Sequence, residues 1–330
     1  MVVFKLAGFL LVTVVAGLWI TTRIIVSDIE REFPPLGDFK TIDGARIHFV
    51  DTGPGDEVAK PPVVFIHGAS GNLRDAQHIY KSRLKNRLRM IFVDRPGHGY
   101  SDPFPGSNDP KQQAGVIADL LDDLGIERAI VVGHSFGGVV TAAFGVLHPE
   151  KTAGVVFLAP VSHPWPTGVD WHYDVGNMPV IGWLFSNLLV TPVGSLIYPK
   201  AVKGVFTPDK MPGDYKETSG TRLVLRPWNF LENARDVARV YDHVVEFNRR
   251  YREISAPTVI YHGDEDDIVN HKIHSVNGLS KDIKGAKLVI LKGVGHKPDH
   301  VAADQVAKDI LGMAGISDAG LTITSDEGNS

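Results

Sequence analysis

Short apolar runs alternate with longer amphipathic segments along most of this chain. Val63–Ile66, Met90–Val93, Ala129–Val132 and Ala153–Leu158 are continuous apolar runs, as expected of strands buried on both faces. Between them, Leu73–Leu84, Lys111–Leu124 and Phe136–His148 carry apolar residues at helical spacing. Strand–helix alternation of this kind predicts parallel strands with helical crossovers. Upstream, Thr41-Ile42 and Arg46–Val50 flank Asp43-Gly44 and predict a hairpin. The alternation breaks after Pro160. Ser162 to Asn233 is rich in Pro, Gly and Trp and poor in strand signals. A long helix is predicted over Ala234–Tyr251, followed by strands at Thr258–His262 and Leu288–Leu291. Beyond Gly315 the residues are small and polar without a period, which predicts a disordered tail at 315–330.

The N-terminus follows a different pattern. Leu6–Ile20 contains no charge, and Val2-Val3-Phe4 extends the run across Lys5. As a helix, Val2–Ile20 would be about 28 Å long, close to a bilayer's hydrocarbon thickness. Arg23–Pro35 reads as polar and linker-like. The segment is therefore expected to be an uncleaved membrane anchor at 1–27, joined by a linker at 28–38 to a domain at 39–314. The alternative is a cleaved signal, leaving a secreted or periplasmic protein. Lys5 on one side and Arg23 and Arg31 on the other leave orientation undetermined.

Candidate chemistry centres on Gly133-His134-Ser135-Phe136-Gly137, a G-x-S-x-G at the junction of a predicted strand and helix. A serine on so sharp a turn projects its hydroxyl above the sheet, and small neighbours let the turn close. A nucleophilic serine needs a base, and the base needs an orienting carboxylate. His296 lies in Gly293-Val294-Gly295-His296, just past a strand end. Carboxylates crowd the loop Gly263-Asp264-Glu265-Asp266-Asp267, also past a strand end.

Several segments together carry a family resemblance. They are Val63–Gly68, Asp94-Arg95-Pro96-Gly97-His98-Gly99-Tyr100-Ser101-Asp102, Gly133–Gly138, Gly263-x-x-Asp266 and Gly293-x-Gly295-His296. The chain resembles the α/β-hydrolase superfamily, in its branch of capped serine hydrolases, from about Phe39 to Leu311. The resemblance implies a mostly parallel sheet with helices on both faces and a helical cap inserted after strand 6, at about 161–233. The order Ser, Asp, His is that of these hydrolases. Family spacing selects Asp266 as the acid, with Asp264 and Asp267 as runners-up. It also implies an oxyanion hole from the amides of Ala69 and Phe136, with Ser70 as a substitute for Ala69.

The implied activity is hydrolysis of a carboxylic ester of an apolar small molecule through an acyl-enzyme on Ser135. Dehalogenases and epoxide hydrolases of this scaffold use an aspartate at the elbow, which Ser135 argues against. Carbon–carbon bond hydrolases and perhydrolases share the triad. The former typically carry a tryptophan after the histidine, where this chain has Lys297. A membrane-tethered binding protein without turnover is the reading from another class.

Composition narrows this picture modestly. The 330 residues carry a net charge of −4, which gives no electrostatic case for nucleic acid. Cysteine is absent, so disulfides are excluded. No zinc-protease, dinucleotide or P-loop motif occurs, and no cofactor or metal is expected. His67, His98, His134 and His262 are read as packing and hydrogen-bonding residues. The run His296-Lys297-Pro298-Asp299-His300 is read as a catalytic histidine followed by a helix start rather than a metal site.

Overall fold

The computed structural model describes residues 2–53, 60–166 and 168–317. The tail expected at 315–330 lies almost wholly outside the described residues. Among the described residues, eight strands form one sheet in the order β1-β2-β4-β3-β5-β6-β7-β8. The predicted hairpin is β1 (Asp38–Ile42) and β2 (Ala45–Asp51), turning at Asp43 and Gly44, both with positive φ. β2 runs antiparallel to β4 (Met90–Val93). β3 (Val63–Ile66), β4, β5 (Ala129–His134), β6 (Thr152–Leu158), β7 (Thr258–Gly263) and β8 (Lys287–Leu291) are parallel.

Side-chain alternation along the strands builds two apolar layers. Val64, Ile66, Ile91, Val93 and Val131 pack on one face with α3 (Pro110–Asp123) and α4 (Phe136–Leu147). Val63, Phe65, Met90, Phe92, Ile130 and Val132 face the other side. There they meet α2 (Leu73–Leu84) and, at the C-terminus, α12 (Ala303–Met313). Burial on both faces is why these strands read as unbroken apolar runs.

The helical insertion follows β6. It holds α5 (Trp171–Asn177), α6 (Pro179–Phe185), a π turn (Ser186–Val190), α7 (Thr191–Val205) and α8 (Tyr215–Thr218). The helix predicted from Ala234 begins earlier, as α9 (Pro227–Phe247). Arg226 is extended, and Pro227 sits in the first turn, where its fixed φ and missing N–H suit a helix start. Short helices α10 (Ser280–Asp282) and α11 (Pro298–Val301) complete the set.

The N-terminal segment departs from expectation. α1 runs unbroken from Val2 to Glu32, so the linker expected at 28–38 begins as helix. Thr22, Val26, Ile29 and Phe33 are buried along one side of it. Ile29 and Phe33 form a cluster with Leu223 and Leu225, with Tyr100 and Tyr198 against it. Glu30 pairs with Arg226 at 3.3 Å, Glu32 pairs with Arg222, and Tyr100 Oη donates to the Phe33 carbonyl at 2.6 Å. The charges that made this stretch look like a linker are the polar side of a docked helix.

Candidate active site

The elbow forms because β5 must reverse into α4 within one residue. Ser135 takes that position at φ 53° and ψ −118°, strained for a residue with a Cβ. Close packing holds it there. A Cβ added at Gly137 would collide with the Ile66 carbonyl oxygen, and one at Gly133 with Thr141 Oγ1. Leu158 at the end of β6 and Val161 just beyond it clamp the turn: Ser135 N donates to the Leu158 carbonyl at 2.9 Å, and Val161 N donates to the Ser135 carbonyl at 3.0 Å. The site therefore stands at the C-terminal ends of the parallel strands, where open α/β sheets bind ligands.

Asp266 and His296 meet beside it. His296 Nδ1 lies 2.7 Å from Asp266 Oδ2, and both residues are buried. Asp266 Oδ1 accepts the amides of Ile268 and Val269, each at 2.8 Å. The apolar pair behind the acid thus supplies its backbone donors. Burial works to raise the Asp266 carboxyl. The charge of His296 and hydrogen bonds from His262 and His296 outweigh it and hold the carboxyl well below the usual range. The runners-up lie elsewhere. Asp264 pairs with Lys292 and accepts the Gly293 amide, and Asp267 is exposed.

His134, next to the serine, donates from Nε2 to the His296 carbonyl at 3.0 Å, which seats the histidine loop against the elbow. Burial and the nearby Lys297 charge push His134 down to about 4, so it stays neutral near pH 7. The Ser135 hydroxyl makes no hydrogen bond among the described residues. Serine–histidine contacts often tighten only when substrate binds.

Arg95 organises the loop after β3. Its Nε donates to the His67 carbonyl at 3.0 Å and its Nη2 to the Gly68 carbonyl at 3.2 Å. In a trans peptide the N–H points opposite the C=O. Holding the Gly68 carbonyl on Arg95 therefore turns the Ala69 amide the other way. Gly68 itself approaches the elbow so closely that an added Cβ would lie 3.0 Å from Ser135 Cβ. The guanidinium also stacks 4.3 Å from the centre of the Phe136 ring, so one side chain touches Phe136 and the peptide that carries the Ala69 amide. Asp236 balances its charge at 2.5 Å. The Ser70 amide is engaged elsewhere, by Asn233 Oδ1 at 2.6 Å, which removes it as a substitute donor.

Several of these partners were not legible in the sequence. His262, read there as a packing and hydrogen-bonding residue with no partner assigned, donates from Nε2 to both Asp266 Oδ2 (3.1 Å) and the Val269 carbonyl (2.9 Å). Lys297 is fully buried, with its ammonium 2.8 Å from Asp75 and 2.9 Å from Asp299. Burial opposes its charge, but the two carboxylates prevail and raise it well above the ordinary lysine value. Asp75, Asp299 and His300 converge closely enough to suggest a cation site, and Lys297 supplies the cation. Tyr215 of α8 donates to Asp75 at 3.0 Å, and the Gly295 amide donates to Asp209 at 2.8 Å. The insertion thus holds the histidine loop directly at Gly295 and, through Asp75, indirectly at Lys297. No local motif announces the contacts of Lys297 with Asp75, Tyr215 with Asp75 or Gly295 with Asp209, because those partners lie far apart in the chain.

Residues 61–298 match the family described as alpha/beta hydrolase fold. The chain is 27% identical over 285 residues to the bifunctional esterase/perhydrolase of Acinetobacter calcoaceticus, covering 84% of this chain and 98% of that one. It is 37% identical over 132 residues to the dihydrolipoyllysine-residue acetyltransferase component of the acetoin cleaving system of Cupriavidus necator. That match covers 40% of this chain and only 34% of the relative. A solved bacterial membrane phospholipase A superposes with a TM-score of 0.63 at 20% identity, covering 95% of this chain and 98% of its own. The family match spans well over half of the sequence, and the sheet order and elbow agree with it: the chain belongs to the alpha/beta hydrolase fold family.

Proposed function

We propose that this protein is a serine hydrolase that cleaves carboxylic esters of apolar molecules through an acyl-enzyme. The observation that carries this reading is the 2.7 Å contact of His296 Nδ1 with a buried, ionised Asp266, in a loop fastened to the Ser135 elbow. Asp266 fixes the histidine tautomer with the proton on Nδ1, leaving Nε2 free to act as base. Ser135 Oγ attacks the ester carbonyl carbon as its proton passes to His296 Nε2. The tetrahedral oxyanion is received by the amides of Ala69 and Phe136, at the N-terminus of α4. Collapse expels the alcohol, which takes the proton from His296, and leaves Ser135 acylated. Water then adds to the acyl carbon, giving its proton to His296, and the acid is released as Ser135 is re-protonated. The full-length similarity to an esterase/perhydrolase supports the same chemistry.

The acid assignment has its own test. Asp266→Asn is expected to lower kcat by about 10⁴, since the amide favours the wrong histidine tautomer. Asp264→Asn and Asp267→Asn should leave kcat within about twofold, as surface changes away from the site. Equal losses at all three positions would refute the choice of Asp266.

We further read α1 as a membrane anchor. Val3–Ile20 presents apolar side chains to the outside nearly all round, Phe4 at 84% and Phe9 at 74% exposure, a surface that water does not tolerate on a free helix. Full-length protein should stay with membranes through alkaline carbonate. Release by carbonate, or a mature N-terminus beyond Ile20, would contradict this.

A further inference from the structure

The outer face of the cap is a feature that the site does not use. From Val175 to Pro199 the chain carries no charged residue. A surface helix ordinarily turns a polar side to water. Here the outward side of α6 carries Val180 and Ile181, and that of α7 carries Val193, Leu196 and Ile197. Leu196 is 81% exposed and Val180 71%. Leu189, Val193, Leu196 and Ile197 follow the spacing i, i+4, i+7, i+8 and form one stripe. Exposed Trp183 stands on α6, and exposed Lys200 and Lys203 follow the stripe's end.

What covers this face is indicated by α1. The π turn and α7 both pack on α1. Tyr198 of α7 lies in the cluster of Ile29 and Phe33, at the C-terminal end of α1. The π turn precedes Tyr198 by 8–12 residues, or about 12–18 Å of helix. It can touch α1 as well only toward the N-terminal part of α1, because α1 stops at Glu32. The two helices therefore run antiparallel. α6, which leads into the π turn, is therefore on the side of the stretch of α1 whose apolar side chains are bare. Trp19 and Arg23 pair at 5.0 Å on α1, an aromatic and a cation of the kind that settle at a membrane interface.

We propose that the outer face of α6 and α7 seats in the lipid bilayer beside α1, as a second, interfacial membrane contact, and that the ester cleaved is an acyl lipid of that leaflet. The proposal rests on α1 being an anchor and on Ser135 being an ester-cleaving nucleophile. Lys200 and Lys203 then meet anionic headgroups at the edge of the patch.

The chain has no cysteine, so single Leu196→Cys and Val180→Cys variants accept one environment-sensitive NBD label on an unchanged background. The full-length protein is reconstituted in phosphatidylcholine vesicles containing a minority of phosphatidylglycerol. Lipids carrying a doxyl quencher are expected to quench both labels severalfold more than a label at Glu150→Cys, on the exposed turn after α4. Quenching equal to that at Glu150 overturns the proposal. A blue-shifted label that lipid does not quench means that a second copy covers the face, and overturns it too. In the same vesicles, Leu196→Asp with Ile197→Asp should lower hydrolysis of a long-chain acyl lipid by about tenfold, because two apolar anchors leave the interface. Hydrolysis of a short water-soluble ester should be unchanged. Unchanged hydrolysis of the lipid, or equal loss on both esters, contradicts the lipid assignment. Failure of the underlying readings is distinguishable: carbonate then strips the unsubstituted protein, or that protein cleaves neither ester, while the quenching still decides where the cap sits.

Discussion

Ser135→Ala is expected to lower turnover of a carboxylic ester by up to about 10⁶ while leaving the folded state in place. The loss is large because the elbow serine acts as one unit with His296 and Asp266. Without it, only the oxyanion amides and substrate binding remain, a residual of about 10³–10⁴ over water. The fold should survive for a local reason. The turn is held by backbone contacts, Ser135 N to the Leu158 carbonyl and Val161 N to the Ser135 carbonyl, and by the close approach of Gly137 to β3. None of these uses the hydroxyl. Alanine at φ 53° bears the same Cβ strain that serine already bears. Parallel measurement of kcat and of thermal unfolding checks both halves. Wild-type turnover in the variant would remove Ser135 from the chemistry.

Lys297→Met should act on stability first. The substitution removes the ammonium from between Asp75 and Asp299 and leaves two buried carboxylates without their cation. Breaking a buried pair from one side costs about 3–5 kcal/mol. Asp75 also receives Tyr215 from α8, and Lys297 is the neighbour of His296, so loosening should spread to the cap and to the histidine loop. Combining Lys297→Met with Asp75→Asn should recover part of the loss, because one stranded charge disappears with its partner. Denaturant unfolding of the single and double variants measures the coupling. A single variant as stable as wild type would show that these acids do not depend on Lys297.

The strands and crossover helices were legible because each carries a local signal. Val63–Ile66 and Ala129–Val132 are unbroken apolar runs, and α2 was bounded correctly at Leu73 and Leu84. The elbow was legible because glycine flanks a serine where only small residues fit. The contact of Asp266 with His296 was accessible through the family's loop spacing, and the structure sets that carboxylate, not Asp264 or Asp267, against the ring. The docked end of α1 was hidden by its own charges. Arg23, Asp28, Glu30, Arg31 and Glu32 mask the period of Thr22, Val26, Ile29 and Phe33. The true start of α9 was masked by reading the Pro-rich stretch as cap up to Asn233, although Pro227 opens the helix. The roles of Arg95 and Lys297 depend on residues up to 222 positions away, and no local pattern announces them; His262 stands only four residues before Asp266, but nothing in the sequence shows that its ring turns onto that carboxylate.

Covalent labelling tests the central claim most directly. A p-nitrophenyl alkylphosphonate mimics the tetrahedral intermediate. Attack by Ser135 Oγ forms a P–O bond, expels p-nitrophenolate, and passes the hydroxyl proton to His296. Intact-mass analysis of full-length protein, followed by peptide mapping, should show one adduct, on Ser135. It should be absent from Ser135→Ala and greatly slowed in Asp266→Asn, which keeps the serine but loses the histidine's orienting charge. An unmodified wild-type protein under conditions that label other serine hydrolases, or an adduct on a residue other than Ser135, would contradict it.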